Sequence, residues 1–229
     1  MIDKTQQIIR AIAAETDEII LFHSVAGKDS IALLDLCAPH FKRVVCCFMY
    51  TIPNLEHMNR HMVWAKATYR NCEFQQTPHY ALYQYIKLGL LGVKQDKTLK
   101  KVTLSNVVER VKLNTGIDWA VVGFKQSDSM NRRLMLRTYE MNAINRTTKM
   151  VYPLSEWTNK EVLRYIQQRR LIKPIEYGRG QSQGQNPDDL DFLLWCKQHS
   201  PNDLGKIFEV FPLAKIKLDE YERSNETSK

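Results

Sequence analysis

The chain reads as an α/β protein: a parallel β-sheet with helices on both faces, followed by a helical C-terminal extension. Three observations predict this. Apolar runs at 18–23, 43–50 and 118–123 have the near-continuous hydrophobicity of parallel strands covered on both sides. Helical stretches separate them, the alternation that builds right-handed crossovers. Strands alternate with helices through residue 154, and beyond it lies a helical tail.

Taken in order, Ile2, Ile8, Ile9 and Ile12 share one side of an amphipathic helix over residues 1–14. The strand at 18–23 runs into Ser24-Val25-Ala26-Gly27-Lys28-Asp29-Ser30, and a helix follows over 30–36, stopped near Pro39. Residues 54–69 predict a helix after Pro53, 72–76 a third strand, and 78–91 a helix that alternates aromatic and polar groups. Residues 94–101 form a charged loop, and 104–113 a helix ended by Asn114-Thr115-Gly116. A last short strand is expected at 149–154. Thr158 and Glu161 have capping-box spacing and start a helix to Arg170. Gly178–Gly184 reads as a polar loop, and 187–199, 200–211 and 213–223 as short helices. There is no internal repeat. Residues 1–180 are expected to form a nucleotide-binding α/β domain, and 181–229 a helical extension of the same compact unit.

The 229 residues are 44% hydrophobic and 25% charged, a globular composition. The net charge of +8 suits anionic partners, nucleotides or nucleic acid among them. Asp3, Lys4, Arg10, Glu15, Asp17 and Glu18 exclude a secretory apolar core near the start. No run reaches the roughly 18 apolar residues of a membrane span. A soluble, cytoplasmic protein without a membrane partner is expected. Cys37, Cys46, Cys47, Cys72 and Cys196 are odd in number and contain no Cys-x-x-Cys, which argues against a disulfide framework.

The turn at 24–30 carries the chemistry. It is not a Walker A loop, because Asp29 follows the lysine where serine or threonine is needed. Gly27 lets the backbone approach an anion, and the N–H groups of residues 27–30 and the Ser30 hydroxyl can donate to it. Lys28 adds a mobile positive charge, and Asp29 is expected to cap the helix. After the strand at 118–123 a second loop, Gly123-Phe124-Lys125-Gln126-Ser127-Asp128-Ser129-Met130-Asn131-Arg132, sits where ligands bind at the edge of a parallel sheet. Lys125 and Arg132, assisted by Arg133 or Arg137, are candidate anion holders. His57 and His61, four apart, lack a third metal ligand, so no metal site is expected. His23 precedes the first turn and either touches phosphate or fills the core.

These segments resemble the phosphoadenylylsulfate (PAPS) reductase family of PP-loop enzymes, within the adenine nucleotide alpha-hydrolase-like superfamily. Gly27-Lys28-Asp29-Ser30 resembles the family's G-K-D-S, shared with the sulfate adenylyltransferase small subunit. Val25 stands where the family has its first serine, and Ser24 lies one place early. The loop at 123–132 is similar to G-x-R-x-x-E-S-x-x-R, with lysine for arginine and aspartate for glutamate. Tyr50, Thr51, Pro53 and Glu56 occupy the place of D-T-G-x-x-F-P-E-T. Residues 153–166 resemble P-[IL]-x-x-W-x-x-x-[DE]-V-[WF]-x-Y-I, in which Trp157 and Ile166 pack a helix on the sheet.

The resemblance implies an enzyme that binds ATP or an adenylyl-sulfate-type nucleotide and cleaves or transfers at its α-phosphate or sulfonucleotide group. The implied nucleotide-binding residues are Ser24, Ala26, Gly27, Lys28, Asp29, Ser30, Tyr50, Thr51, Gly123, Lys125, Ser129 and Arg132. Lys28, Lys125 and Arg132 are the implied catalytic set. Mg2+ would accompany ATP, alongside an anionic small-molecule substrate. No iron–sulfur cluster is expected, because four cysteine ligands are needed and Cys46-Cys47 do not supply them. The family's E-C-G-L-H nucleophile has no counterpart in the tail, and Cys196 lies in an apolar helix. The alternatives are sulfonucleotide reduction by an external thiol, and a non-catalytic nucleotide-binding or nucleic-acid-modification subunit. In that last reading residues 94–101 with Arg169 and Arg170 would contact nucleic acid. Homo-oligomerisation is left open.

Overall fold

In a computed structural model, residues 2–177 and 186–226 are described. The chain groups into two compact units. The first holds Met1–Met49, His61–Thr77 and Val108–Ile175; the second holds Tyr50–Arg60, Pro78–Val107 and Glu176–Lys229. The C-terminal helices thus group with two segments that the sequence reading had kept in the nucleotide-binding domain.

The first unit is built on a six-stranded sheet of order β3-β2-β1-β4-β6-β5. Its strands are β1 (Glu18–Phe22), β2 (Arg43–Tyr50), β3 (Cys72–Pro78), β4 (Ala120–Val121), β5 (Ile144–Asn145) and β6 (Met150–Val151). β1 pairs parallel with β2, from Glu18 opposite Arg43 to Phe22 opposite Cys47. On its other side β1 pairs parallel with β4, which pairs parallel with β6. The exception is the two-residue β5, antiparallel to β6 and not foreseen in the sequence. It has too few residues to show a periodicity. The strand order reverses between β1 and β4, so the carboxyl ends of these two strands flank a topological switch point, where open α/β sheets bind ligands.

Burial explains the apolar runs. Ile19 and Leu21 of β1 join the main core with Val44 and Cys46, while Ile20 and Phe22 on the opposite face are buried as well. The core is closed by α1 (Ile2–Ala13), α2 (Lys28–Cys37) and α7 (Asn159–Gln168). Ile8, Ile9 and Ile12 of α1 are buried as their spacing requires. α7 starts with the complete Thr158–Glu161 capping box. Trp157 and Ile166 pack in the core, and Trp157 Nε1 donates to Thr5 Oγ1 at 2.8 Å.

α7 is further tied to α2 through Asp35, whose carboxylate accepts from Tyr69 (2.8 Å), Tyr165 (2.5 Å) and Arg169 Nε (3.0 Å). Burial pushes the Asp35 pKa up, but the Arg169 and tyrosine bonds outweigh it and hold the carboxyl below its usual value. Arg169, expected as a nucleic-acid contact, is therefore committed to an ion pair.

The predicted helix over 54–69 forms only as α3 (Asn59–Thr68), because 51–58 turn. α5 (Leu104–Thr115) agrees with its expected span, and α6 (Met130–Arg137) is an extra helix inside the second loop segment.

The second unit contains α4 (Tyr80–Leu88), α8 (Leu190–His199), α9 (Pro201–Val210) and α10 (Ala214–Glu226). Gly92, at φ +81, lets the chain pass Leu213: a Cβ there would meet Leu213 Cγ at 2.9 Å. The centre of this unit is polar. Asp203, fully buried, accepts from the amides of Glu56 (2.7 Å) and His57 (2.9 Å), from His57 Nδ1 (2.7 Å) and from Ser200 Oγ (2.9 Å). The predicted loop 178–184 lies outside the described residues.

Candidate functional site

The turn after β1 and the loop after β4 come together at the switch point. α2 begins at Lys28, two residues earlier than its periodicity suggests, with Gly27 as its N-cap and no side chain capping it. Asp29 therefore does not cap, contrary to expectation. It sits inside the first turn, where a negative charge is favoured by the helix dipole. By contrast α4, α6, α7 and α8 are capped by His79, Ser129, Thr158 and Asp189. The N-terminus of α2 keeps its amide donors for another acceptor.

The turn itself is held from inside. The Ser24 amide donates to Ser30 Oγ at 2.8 Å, and the two serine hydroxyls are 3.0 Å apart. Ser24 thus reaches Ser30 from its shifted position. The Ala26 amide donates to the Ser24 carbonyl, and the Ala26 carbonyl accepts from Ile175 N–H at 3.0 Å. Val25 has φ 56, a left-handed conformation that costs a β-branched residue about 1–2 kcal/mol. Strain of this kind persists where surrounding structure imposes it, often at ligand sites.

His23 anchors that strained residue: its Nδ1 accepts from the Val25 amide at 2.9 Å. The proton therefore sits on Nε2, which is buried with no hydrogen-bond partner among the described residues. Burial, with His61 nearby, pushes the His23 pKa down to about 3, against a weaker upward pull from the Ser30 backbone. A neutral imidazole fills the core edge-on to Phe74 rather than pairing with phosphate.

The cations of the two loops form one chain of alternating charge. Lys28 Nζ donates to Asp29 Oδ2 at 2.9 Å. Lys125 Nζ lies 2.9 Å from Asp29 Oδ1 and 3.1 Å from Asp128 Oδ1. Arg132 donates to Asp128 Oδ2 at 2.8 Å, and its guanidinium lies 3.9 Å above the Phe124 ring. Burial pushes the Asp128 pKa up, but the amide and ammonium of Lys125 and the charge of Arg132 bring it below normal. Gly123 suits this close approach: a Cβ would lie 3.2 Å from Asp29 Cβ and 3.3 Å from Leu33 Cδ1, a tight fit that asks those neighbours to give way slightly.

The structure thus brings Ser24, Ala26, Gly27, Lys28, Asp29, Ser30, Gly123, Lys125, Ser129 and Arg132 into one unit. Lys125 is only 1% exposed. Ser129 caps α6, accepting from the Arg132 amide. Arg133 and Arg137 donate to Gln126. Tyr50 ends β2 and Thr51 follows it; both group with the second unit. His57 lies before α3 rather than on it, and bonds Asp203 and Tyr177, while His61 Nε2 bonds the Lys173 carbonyl. The two histidines do not form an i, i+4 pair. The Asp35 network and the pairing of Asp29 with Lys125 have no local sequence signal, because their partners are distant in the chain.

The phosphoadenosine phosphosulfate reductase domain matches residues 19–176. The chain belongs to this family. No curated protein matches it. Among solved structures it is similar to the U34-tRNA thiolase NcsA from Methanococcus maripaludis, described with its 4Fe–4S cluster, at 13% identity and a TM-score of 0.48, covering 95% of this chain and 78% of that one. It is also similar to an NH3-dependent NAD synthetase from Campylobacter jejuni in complex with nitrate, at 13% identity and a TM-score of 0.47, covering 96% and 92%.

One expectation is corrected here. An iron–sulfur cluster was excluded, leaving Mg2+ with ATP; the thiolase carries a cluster, so that exclusion does not stand. The count of cysteines along the chain was a poor guide, because folding brings distant ones together. The Cys46 thiol bonds Cys72, and that bond with burial pushes Cys46 well above its ordinary value. All five cysteines are buried free thiols. Among the described residues no three His, Cys, Asp or Glu are grouped to hold a metal ion. Among the same residues no helix is long and apolar enough to cross a membrane.

Proposed function

We propose that this chain binds an adenine nucleotide, of ATP or adenylyl-sulfate type, at the β1–α2 turn and the β4–α6 loop, and acts at its α-phosphate or sulfonucleotide group. The observation that carries the reading is the uncapped N-terminus of α2 at the sheet's switch point, beside Lys28 and Arg132. The amides of the first turn and the helix dipole attract an anion. Three cations against two carboxylates leave the cluster one positive charge in excess. At rest Asp29 holds Lys28 and Asp128 holds Arg132. A phosphate competes for both, and each cation can then stabilise charge that develops on the transferring group. Arg132 lies part-exposed, so it can turn from Asp128 toward a ligand without leaving the surface.

For sulfonucleotide reduction the thiol would come from outside the chain. Cys196 is fully buried and its thiol is pushed up to about 12 by burial, so it is not a thiolate near neutral pH.

The test is calorimetric titration with ATP, adenylylsulfate and PAPS. Lys28→Ala should weaken the bound ligand about tenfold or more, the worth of one charge-assisted contact; unchanged affinity would sink the assignment. Sulfite release from PAPS with thioredoxin separates reduction from adenylyl chemistry.

A second reading rests on Lys87, Lys94, Lys97, Lys100 and Lys101, all exposed on the second unit with Asp96 as the one carboxylate in that stretch. They suit a nucleic-acid backbone. Binding should then weaken steeply with salt; no binding at low ionic strength removes this reading.

A further inference from the structure

We infer that Lys125 is a positioning residue: its buried ammonium holds the first turn of α2 and the β4–α6 loop at the spacing that lets one ligand touch both, without touching the ligand itself. This rests on the proposed nucleotide site.

Lys125 is among the large, fully buried side chains, an unusual place for a lysine. An ammonium is held there only if paired. Its two partners come from opposite sides of the switch point. Asp29 belongs to the helix after β1, and Asp128 to the loop after β4. Lys125 also donates its own amide to Asp128 Oδ2 at 2.9 Å, which curls the loop around its side chain. Gly123 removes the bulk that would otherwise keep the two segments apart. Each carboxylate has a second cation on its outer side, Lys28 for Asp29 and Arg132 for Asp128. Those outer cations, more exposed than Lys125, face where an anion would arrive.

Without Lys125 the two carboxylates repel, the loops separate, and each aspartate grips its outer cation more tightly. A ligand long enough to bridge both loops loses the advantage of meeting them together. A ligand that fits one loop does not.

Three anions distinguish this from a direct contact: inorganic phosphate, inorganic pyrophosphate and ATP, each titrated against the full chain and the variant Lys125→Met, with folding checked by circular dichroism. The positioning role predicts that pyrophosphate and ATP weaken about tenfold or more, while orthophosphate stays within about twofold, because only bridging ligands gain from linked sites. Equal weakening of all three means that Lys125 contacts phosphate directly, and no weakening means that it does neither; both overturn the inference. If Lys125→Met does not fold, Asp128→Asn decides. It makes the site more positive and frees Arg132, so simple electrostatics predicts tighter pyrophosphate. Loss of the clamp predicts weaker pyrophosphate, and tighter binding overturns the inference. A wild-type chain that binds neither ATP nor pyrophosphate removes the nucleotide reading itself and this inference with it. Binding that survives Lys125→Met unchanged removes the inference alone.

Discussion

Two buried polar clusters, one in each unit, use similar residues to different ends. In the second unit Asp203 accepts four hydrogen bonds, its base His57 is also bonded to the Tyr177 hydroxyl, and Phe192 and Trp195 pack edge-on against His57. Its carboxylate is satisfied from inside the unit, and the cluster acts as a tie. In the first unit Asp29 and Asp128 are also paired, but the series ends in two cations, Lys28 and Arg132, that are less buried than Lys125. The same unit carries a strained Val25, an uncapped helix start and a His23 Nε2 with no hydrogen-bond partner among the described residues. A polar cluster closed on itself stabilises a fold. One that keeps charge toward the surface is the place where the proposed ligand would bind.

Three experiments can break or sharpen that contrast. The largest effect belongs to Asp203→Ala, which leaves several buried donors without an acceptor and should cost about 3–5 kcal/mol in urea unfolding. A loss below about 1 kcal/mol would mean that the cluster is not a tie.

Gly123→Ala comes next. Its methyl group wedges between the β4–α6 loop and Asp29 at 3.2 Å, and overpacking of this kind costs about 1–3 kcal/mol. Anion affinity should fall with it, because the charge chain spans the same gap. Normal stability together with normal affinity would show that the close approach is dispensable.

A third effect is read from pH. His23 is held at about 3 in the folded chain against 6.5 otherwise. Between those values the unfolded chain binds more protons, so stability falls as pH is lowered, by about 1.4 kcal/mol per pH unit for one group. His23→Gln should make the stability profile shallower between pH 6 and 4. A profile parallel to wild type would show that the imidazole is not held neutral.

The difference between the clusters also marks how far the sequence could be read. The Gly27-Lys28-Asp29-Ser30 turn, the strand before it and the Thr158–Glu161 capping box are local: a few adjacent residues set the backbone conformation and satisfy nearby amides. They were legible, and so was the pairing of the two loops at one sheet edge, which follows from strand alternation. The role of Asp29 was not. Taken alone it reads as a cap, yet the helix starts at Lys28 with Gly27 as its cap, and Asp29 forms an ion pair with a lysine from a distant loop. His57 and His61 look like neighbours on a helix, yet the turn before α3 separates their partners.

The sequence by itself determined the fold class, the main strands and helices up to the C-terminal helices, and the glycine turn that leads from β1 into α2. Each depends on hydrophobic period, helix capping and turn chemistry acting over a few residues. Only the tertiary structure decided that Lys125 is buried between two aspartates, that His23 stays neutral, and that residues 50–60 and 78–107 group with the tail. Those outcomes depend on which distant groups the strand order brings within about 3 Å and on how much water is excluded when it does. Neither quantity is written in any local stretch of the chain.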